Sequence, residues 1–159
     1  KMQKLSVPEY TFRTKMEKGK QHIFDSLRKK FVVLTPEEWV RQNFIQYLIK
    51  EKKYPETLMV VEKQIIVNNK QQRFDLLIYL RSGQPHLIAE FKAPNVKITQ
   101  ETFDQVVRYN MALRVERVVV SNGLQHFACE IDYVKNSFKY LKEIPVFSER
   151  CKVDGQGFS

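Results

Sequence analysis

Zinc-ligand spacing, a disulfide framework and a membrane-length apolar run are all missing from this 159-residue chain. Cys129 and Cys151 are too few and too far apart for a cross-linked scaffold or a metal knuckle, which points to a reducing cytosol. No apolar stretch is long enough to cross a bilayer, and no signal-peptide pattern opens the chain. His22, His86 and His126 are isolated, and a lone histidine most often has a structural role. There is no GxSxG elbow for a serine hydrolase and no GxxxxGK[ST] loop for a Walker-type ATP site. Internal repeats and low-complexity linkers are absent too. Positive charge, by contrast, is plentiful.

Lys plus Arg number 27 against 18 Asp plus Glu, a net charge of +9. Such a balance suits a polyanionic partner, through phosphate neutralisation and counterion release. An ordinary soluble basic surface gives the same count, so charge alone decides little. The length makes one domain with room for a sizeable core.

Residues 1–20 are polar and basic and read as a loosely attached arm. A single domain is expected over 21–150, and a frayed tail over 151–159. Ile23 to Leu34 reads as a strand, with Arg28, Lys29 and Lys30 outward and Phe31 to Leu34 inward. Thr35-Pro36 followed by Glu38 predicts a helix start, with Thr35 as N-cap and Glu38 closing a capping box. That helix should run to about Lys52 and bury Val40, Phe44, Tyr47 and Leu48. Leu58 to Val67 reads as a strand turned by Asn68-Asn69. A second helix is capped by Thr99 and reaches about Leu113. Arg117 to Ser121 is a buried strand, Asn122-Gly123 a turn, and Gln125 to Ile131 the return. Helix, three strands, helix, two strands describes an α/β fold: a mixed sheet flanked by helices. Beyond Tyr133 the pattern blurs.

The chemistry concentrates in two runs, Arg73 to Leu80 and His86 to Lys92, separated by a turn at Ser82-Gly83. In a tight hairpin Asp75 faces Glu90 and Arg73 faces Lys92. Period-two alternation sets Phe74, Leu76, Ile78, Leu80, Leu87, Ala89 and Phe91 on a core face. The other face then carries Arg73, Asp75, Glu90 and Lys92. Opposed carboxylates about 5 Å apart repel and call for a compensating cation. Mg²⁺, with Mn²⁺ as a substitute, takes oxygen ligands from one or two carboxylates plus phosphate oxygens. Lys92 can supply positive charge to a phosphate or help orient an attacking water. This arrangement fits metal-assisted phosphodiester hydrolysis. A solvated strand face with a Glu–Lys pair is the bland alternative, but Asp75 and Glu90 each interrupt an apolar run.

Asp75 followed by Glu90-x-Lys92 resembles the PD-(D/E)xK nuclease superfamily. The stretch from Thr35 to Gly123 resembles the N-terminal nuclease region of type I restriction enzyme R subunits. Its most specific pieces are Ile88 to Asn95 and Thr99 to Asn110, the latter with Gln105-x-x-x-Tyr109. Phe74 stands where the motif's proline would be. The resemblance implies a restriction-endonuclease-like core and a metal-dependent DNA endonuclease, with Asp75, Glu90 and Lys92 catalytic. It also implies that Glu38, or failing it Glu37, reaches the metal. Gln105 and Tyr109, four apart on one helical face, would line the cleft and contact DNA or Lys92. Arg108 and Asn110 are weaker candidates. DNA is the implied partner, with a separate motor or specificity subunit as a further one: full-length R subunits carry a translocating motor after the nuclease region, so the sequence reads either as a small stand-alone relative or as an excised domain. A cytoplasmic location and no membrane association are expected. Two rivals stay open: a DNA-binding or assembly module that keeps the fold without cutting, and a structural protein whose motif is coincidental.

Overall fold

The computed structural model describes residues 2–149. The expected tail from Cys151 lies outside the described residues. Three antiparallel strands come first, β1 (Thr14–Glu17), β2 (Lys20–Asp25) and β3 (Lys30–Val33). They are followed by α1 (Pro36–Lys50), a 3-10 turn at Glu56–Leu58, β4 (Met59–Val67), β5 (Lys70–Tyr79) and β6 (Pro85–Phe91). The chain ends with α2 (Gln100–Met111), β7 (Arg117–Ser121), β8 (His126–Asp132) and β9 (Ser137–Leu141). Strands β4 to β9 form one six-stranded sheet in sequence order, antiparallel except for β6 beside β7. The parallel pair needs a crossover, which α2 supplies. Helix, three strands, helix, two strands is therefore present as α1, β4–β6, α2, β7–β8.

Local chemistry explains the punctuation. Thr35 accepts from Glu38 N at 3.0 Å, and Pro36 occupies the first helical turn, where a missing N–H costs nothing. Asn68 and Asn69 both have positive φ, 50° and 63°, the pattern of a two-residue hairpin whose twist matches its strands. Gly123 has φ +85°, and a Cβ there would lie 2.7 Å from Leu5 Cδ2. Only glycine fits.

Both faces of the large sheet are core, which corrects the expected split into one apolar and one charged face. Leu76, Ile78, Leu87, Ala89 and Phe91 pack under Val40, Phe44 and Leu48 of α1. Leu77 and Ile88 are equally buried on the other side, beneath Phe103 and Val107 of α2. A sheet with a parallel crossover is covered on both sides, so its strands read as continuous apolar runs. Phe74 joins this second cluster rather than the Leu76–Ile78 row. Alternation breaks at Asp75, where the β4–β5 ladder keeps its register but lacks the pair between Val61↔Leu76 and Lys63↔Phe74. Glu62, between those positions, has a left-handed φ of 54°.

The N-terminal segment also differs from expectation. Instead of a loose arm it holds β1 and the buried Leu5, and Ser6 N donates to Gly123 O at 2.8 Å. Trp39 Nε1 donates to Gln3 O at 2.7 Å. The single strand expected over Ile23–Leu34 is a hairpin, turned where Leu27 N and Arg28 N both donate to Asp25 Oδ1. An Asx-type turn of this sort is easily overlooked beside a dense apolar run.

Candidate active site

Strands β5 and β6 pair as the hairpin predicts, Leu76↔Ala89, Leu77↔Ile88 and Ile78↔Leu87, before the register slips at Tyr79↔Pro85. The recorded ladder stops just short of Asp75 and Glu90. Beyond it the strands part, and the Asp75 carboxylate fills the wedge. Its Oδ2 accepts from Phe91 N at 2.8 Å, while the Glu90 carboxyl takes the Asp75 backbone N–H and meets the Asp75 side chain within hydrogen-bond reach. Burial pushes the Glu90 pKa up to about 9, with the Asp75 charge adding to the rise and Lys92 opposing it. Near neutral pH the Glu90 carboxyl is thus held in its protonated form beside Asp75. That is the expected behaviour of like charges held together in a poorly solvated place.

The pair opens to two different hollows. Glu90, Lys92, Arg73 and Phe74 line one of about 400 Å³ with Gln105 and Tyr109 from α2. Here the structure brings together the predicted Glu90, Lys92, Gln105 and Tyr109. Gln105 and Tyr109 are exposed, and among the described residues neither side chain has a hydrogen bond. Asn110, almost fully buried at the edge of this hollow, donates to Val106 O at 2.7 Å and leaves its Oδ1 without a protein partner. Arg108 is exposed and does not line the hollow.

Asp75 faces the second hollow, of about 270 Å³, on the α1 side with Glu37, Glu38, Arg41 and Glu62. Glu38 is there as expected, but its carboxylate is fully engaged. It accepts from Arg28 at 2.6 Å, from Arg41 at 2.6 and 2.8 Å, and from Gln42 at 3.1 Å. Burial would raise its pKa, yet Arg41, Arg28 and Gln42 outweigh that and lower it. The reciprocal half of the capping box is not made, since Thr35 N donates to Val33 O instead. Glu37 is exposed. Arg73 does not simply stand opposite Lys92, because Glu62 holds its guanidinium at 2.8 Å. Glu62 also bonds Arg28 at 3.2 Å and Arg41 at 3.3 Å. This hub of three arginines was missed from sequence. Its one visible signal was Glu62, the only acid in β4.

No group of three or more His, Cys, Asp or Glu side chains is arranged to hold a metal among the described residues. Two adjoining carboxyls remain, the minimum set for a hard cation that keeps waters and takes phosphate oxygens. The family described as "Type I restriction enzyme R protein N terminus (HSDR_N)" matches residues 36–145, more than half of the chain. The chain belongs to that family.

None of the curated proteins matches this member of the R-protein N-terminal family by sequence. Among solved structures it is similar to a fragment described as an HsdR subunit of a type I restriction enzyme from Vibrio vulnificus YJ016. The TM-score is 0.51 at 20% identity, over 71% of this chain and 24% of that one. This likeness supports the fold. The chain spans about a quarter of the fragment's length.

Proposed function

We propose that the domain is a metal-dependent DNA endonuclease of the PD-(D/E)xK kind, acting in the cytoplasm with a motor or specificity subunit. The observation that carries this reading is the meeting of the Asp75 and Glu90 carboxyls in the strand wedge, beside Lys92 and a polar, open hollow. Two carboxyls held together in a partly buried place are costly to keep without a ligand, and their oxygen donors suit Mg²⁺ or Mn²⁺. A bound cation would neutralise the carboxylates and polarise a phosphodiester. Glu90 and Asp75, the latter already steered by Phe91 N–H, would hold the cation, and Lys92 beside them would present positive charge toward the phosphate. Gln105 and Tyr109 have free hydrogen-bonding groups that can donate to neighbouring phosphate oxygens. Glu38 serves the arginine hub rather than the cation.

A second reading is favoured by the lack, among the described residues, of three carboxylates grouped to hold a metal. On that reading the fold binds DNA or other subunits without cutting, and protonation of Glu90 merely relieves the repulsion from Asp75. Calorimetric titration with Mg²⁺ and Mn²⁺, with and without duplex DNA, separates the two. The nuclease reading expects metal-dependent heat in the wild type and its loss in Asp75→Ala. Absence of that heat under every condition, with DNA still bound, selects the non-cutting module.

A further inference from the structure

We infer that the N-terminal three-stranded sheet is a wing that grips the phosphate backbone of duplex DNA flanking the wedge. Residues 13–30 contain seven basic and two acidic residues. Six of the basic ones, Arg13, Lys15, Lys18, Lys20, Lys29 and Lys30, are exposed. One of the two acids is neutralised inside the fold: Asp25 is completely buried and bonds Arg28 Nε at 2.5 Å. The other, Glu17, lies 3.2 Å from Lys15 on the surface. The exposed charge of the wing is therefore overwhelmingly positive.

Its cations are held in place. Phe24 and Phe31 form a half-buried edge-to-face pair on the outward side, with centroids 5.2 Å apart. Arg13 lies 4.8 Å over the Phe24 ring and Lys15 4.4 Å over Phe31. Such contacts restrain long side chains that would otherwise lose rotamer freedom on binding. Both hairpin turns also place a lysine at positive φ, Lys18 at 50° and Lys29 at 54°. Glycine or asparagine takes such positions at less cost, so the lysines are there at some expense to the fold.

The wing is fixed relative to the candidate active site. Arg28 ties its second turn to Glu38 at 2.6 Å and Glu62 at 3.2 Å, and Val32 and Val33 line the hollow that Asp75 faces. A duplex lying across the wedge thus meets Gln105 and Tyr109 on the Glu90 side and the basic wing on the Asp75 side. Phosphate contacts of this kind position the duplex and carry no sequence information.

The inference rests on the DNA reading above, and the test tells their failures apart. Affinity for a fluorescent 30-base-pair duplex is measured against salt for wild type and for Lys15→Gln/Lys18→Gln/Lys20→Gln. A control of equal charge loss elsewhere is Lys53→Gln/Lys135→Gln/Lys142→Gln. Each lost phosphate contact should lower the slope of log affinity against log salt by about 0.9, so the wing variant should lose up to about 3 units. The control should keep the wild-type slope to within about 1 unit. Equal slopes in wing variant and control overturn the wing while leaving DNA binding intact. A wild type that binds no duplex at low salt overturns the DNA reading and the wing with it. Wild-type capture by phosphatidylserine vesicles, lost in the wing variant while duplex binding is unchanged, reassigns the sheet to a membrane surface.

Discussion

The two sides of the carboxylate pair are built on opposite principles. On the α1 side, Arg28 and Arg41 meet Glu38 and Glu62 in a nearly closed network with side chains only 17% and 10% exposed, while Arg73, 58% exposed, reaches Glu62 from the rim of the other hollow. On the α2 side, Lys92 has no ion pair within 4 Å among the described residues, and Gln105 and Tyr109 have no side-chain partner. Charges that satisfy one another hold shape. Charges and donors left open are available to a ligand. Asp75 and Glu90 stand where the rigid side meets the open one, and on the function proposed above one hollow serves stability and the other chemistry.

The comparison breaks most visibly at Glu38. Removing one member of a buried ionic network strands its partners, at a cost of about 3–5 kcal/mol. Glu38→Ala should therefore lower the denaturation midpoint sharply and loosen the N-terminal sheet, which hydrogen exchange in β2 and β3 would register. Acid should act in the same direction. Burial raises the Glu38 and Asp25 pKa values, but their arginine contacts and, for Asp25, backbone N–H groups outweigh it, and both end up lowered. A depressed carboxyl adds stability that is present above its unfolded value, 4.5 for Glu38 and 3.8 for Asp25, and drains away as pH falls through the folded value. A Glu38→Ala protein as stable as wild type at pH 7 would mean that the network holds nothing in place.

Lys92→Ala should do the reverse, sparing stability and removing cleavage. One well-placed electrostatic group commonly contributes about 10²-fold or more in rate. Supercoiled, linear and single-stranded DNA with Mg²⁺ or Mn²⁺ are the substrates to assay, with the variant compared on whichever the wild type cuts. Undiminished cleavage in Lys92→Ala would remove it from the chemistry.

How much of this was legible in the sequence follows the same divide. The nearness of Glu90, Lys92, Gln105 and Tyr109 was legible through the resemblance, with period two setting Glu90 and Lys92 on one face and period 3.6 setting Gln105 and Tyr109 on another. The order α1, β4–β6, α2, β7–β8 followed from apolar runs and strong turn or cap residues such as Thr35, Asn68-Asn69 and Thr99. The arginine hub could not, because Arg28, Glu38, Glu62 and Arg73 come from four separate elements and only tertiary packing joins them. Period two also misplaced Phe74, because a single left-handed residue on the neighbouring strand, Glu62, marks the break in alternation. Strands β1 and β9 were passed over for a related reason. Their side chains are almost all exposed, so no amphipathic signal marks them.

Glu90→Gln tests the boundary between the two sides at lower cost. With its pKa raised to about 9 from 4.5, Glu90 favours folding most fully below pH 4.5 and loses that contribution as pH rises toward 9. Metal-free wild type should therefore lose stability over that window. Glu90→Gln should lose less, and be more stable by on the order of 1–2 kcal/mol at pH 8. Thermal melts in EDTA from pH 5 to 9 check this, and parallel curves for the two proteins would deny that the Glu90 pKa is raised.

The smallest effects should come from the open side itself. Gln105→Ala and Tyr109→Phe remove groups that bear on no other side chain among the described residues, so stability should stay within about 0.5 kcal/mol of wild type. If they orient a phosphate, each should weaken cleavage or duplex affinity about three- to tenfold, the worth of roughly one hydrogen bond. The double variant should be close to additive if each side chain contacts its own phosphate oxygen, and clearly less than additive if both act through Lys92. A loss of stability larger than the loss of activity would make the pair part of the scaffold, and the contrast between a closed and an open hollow would fail at its open end.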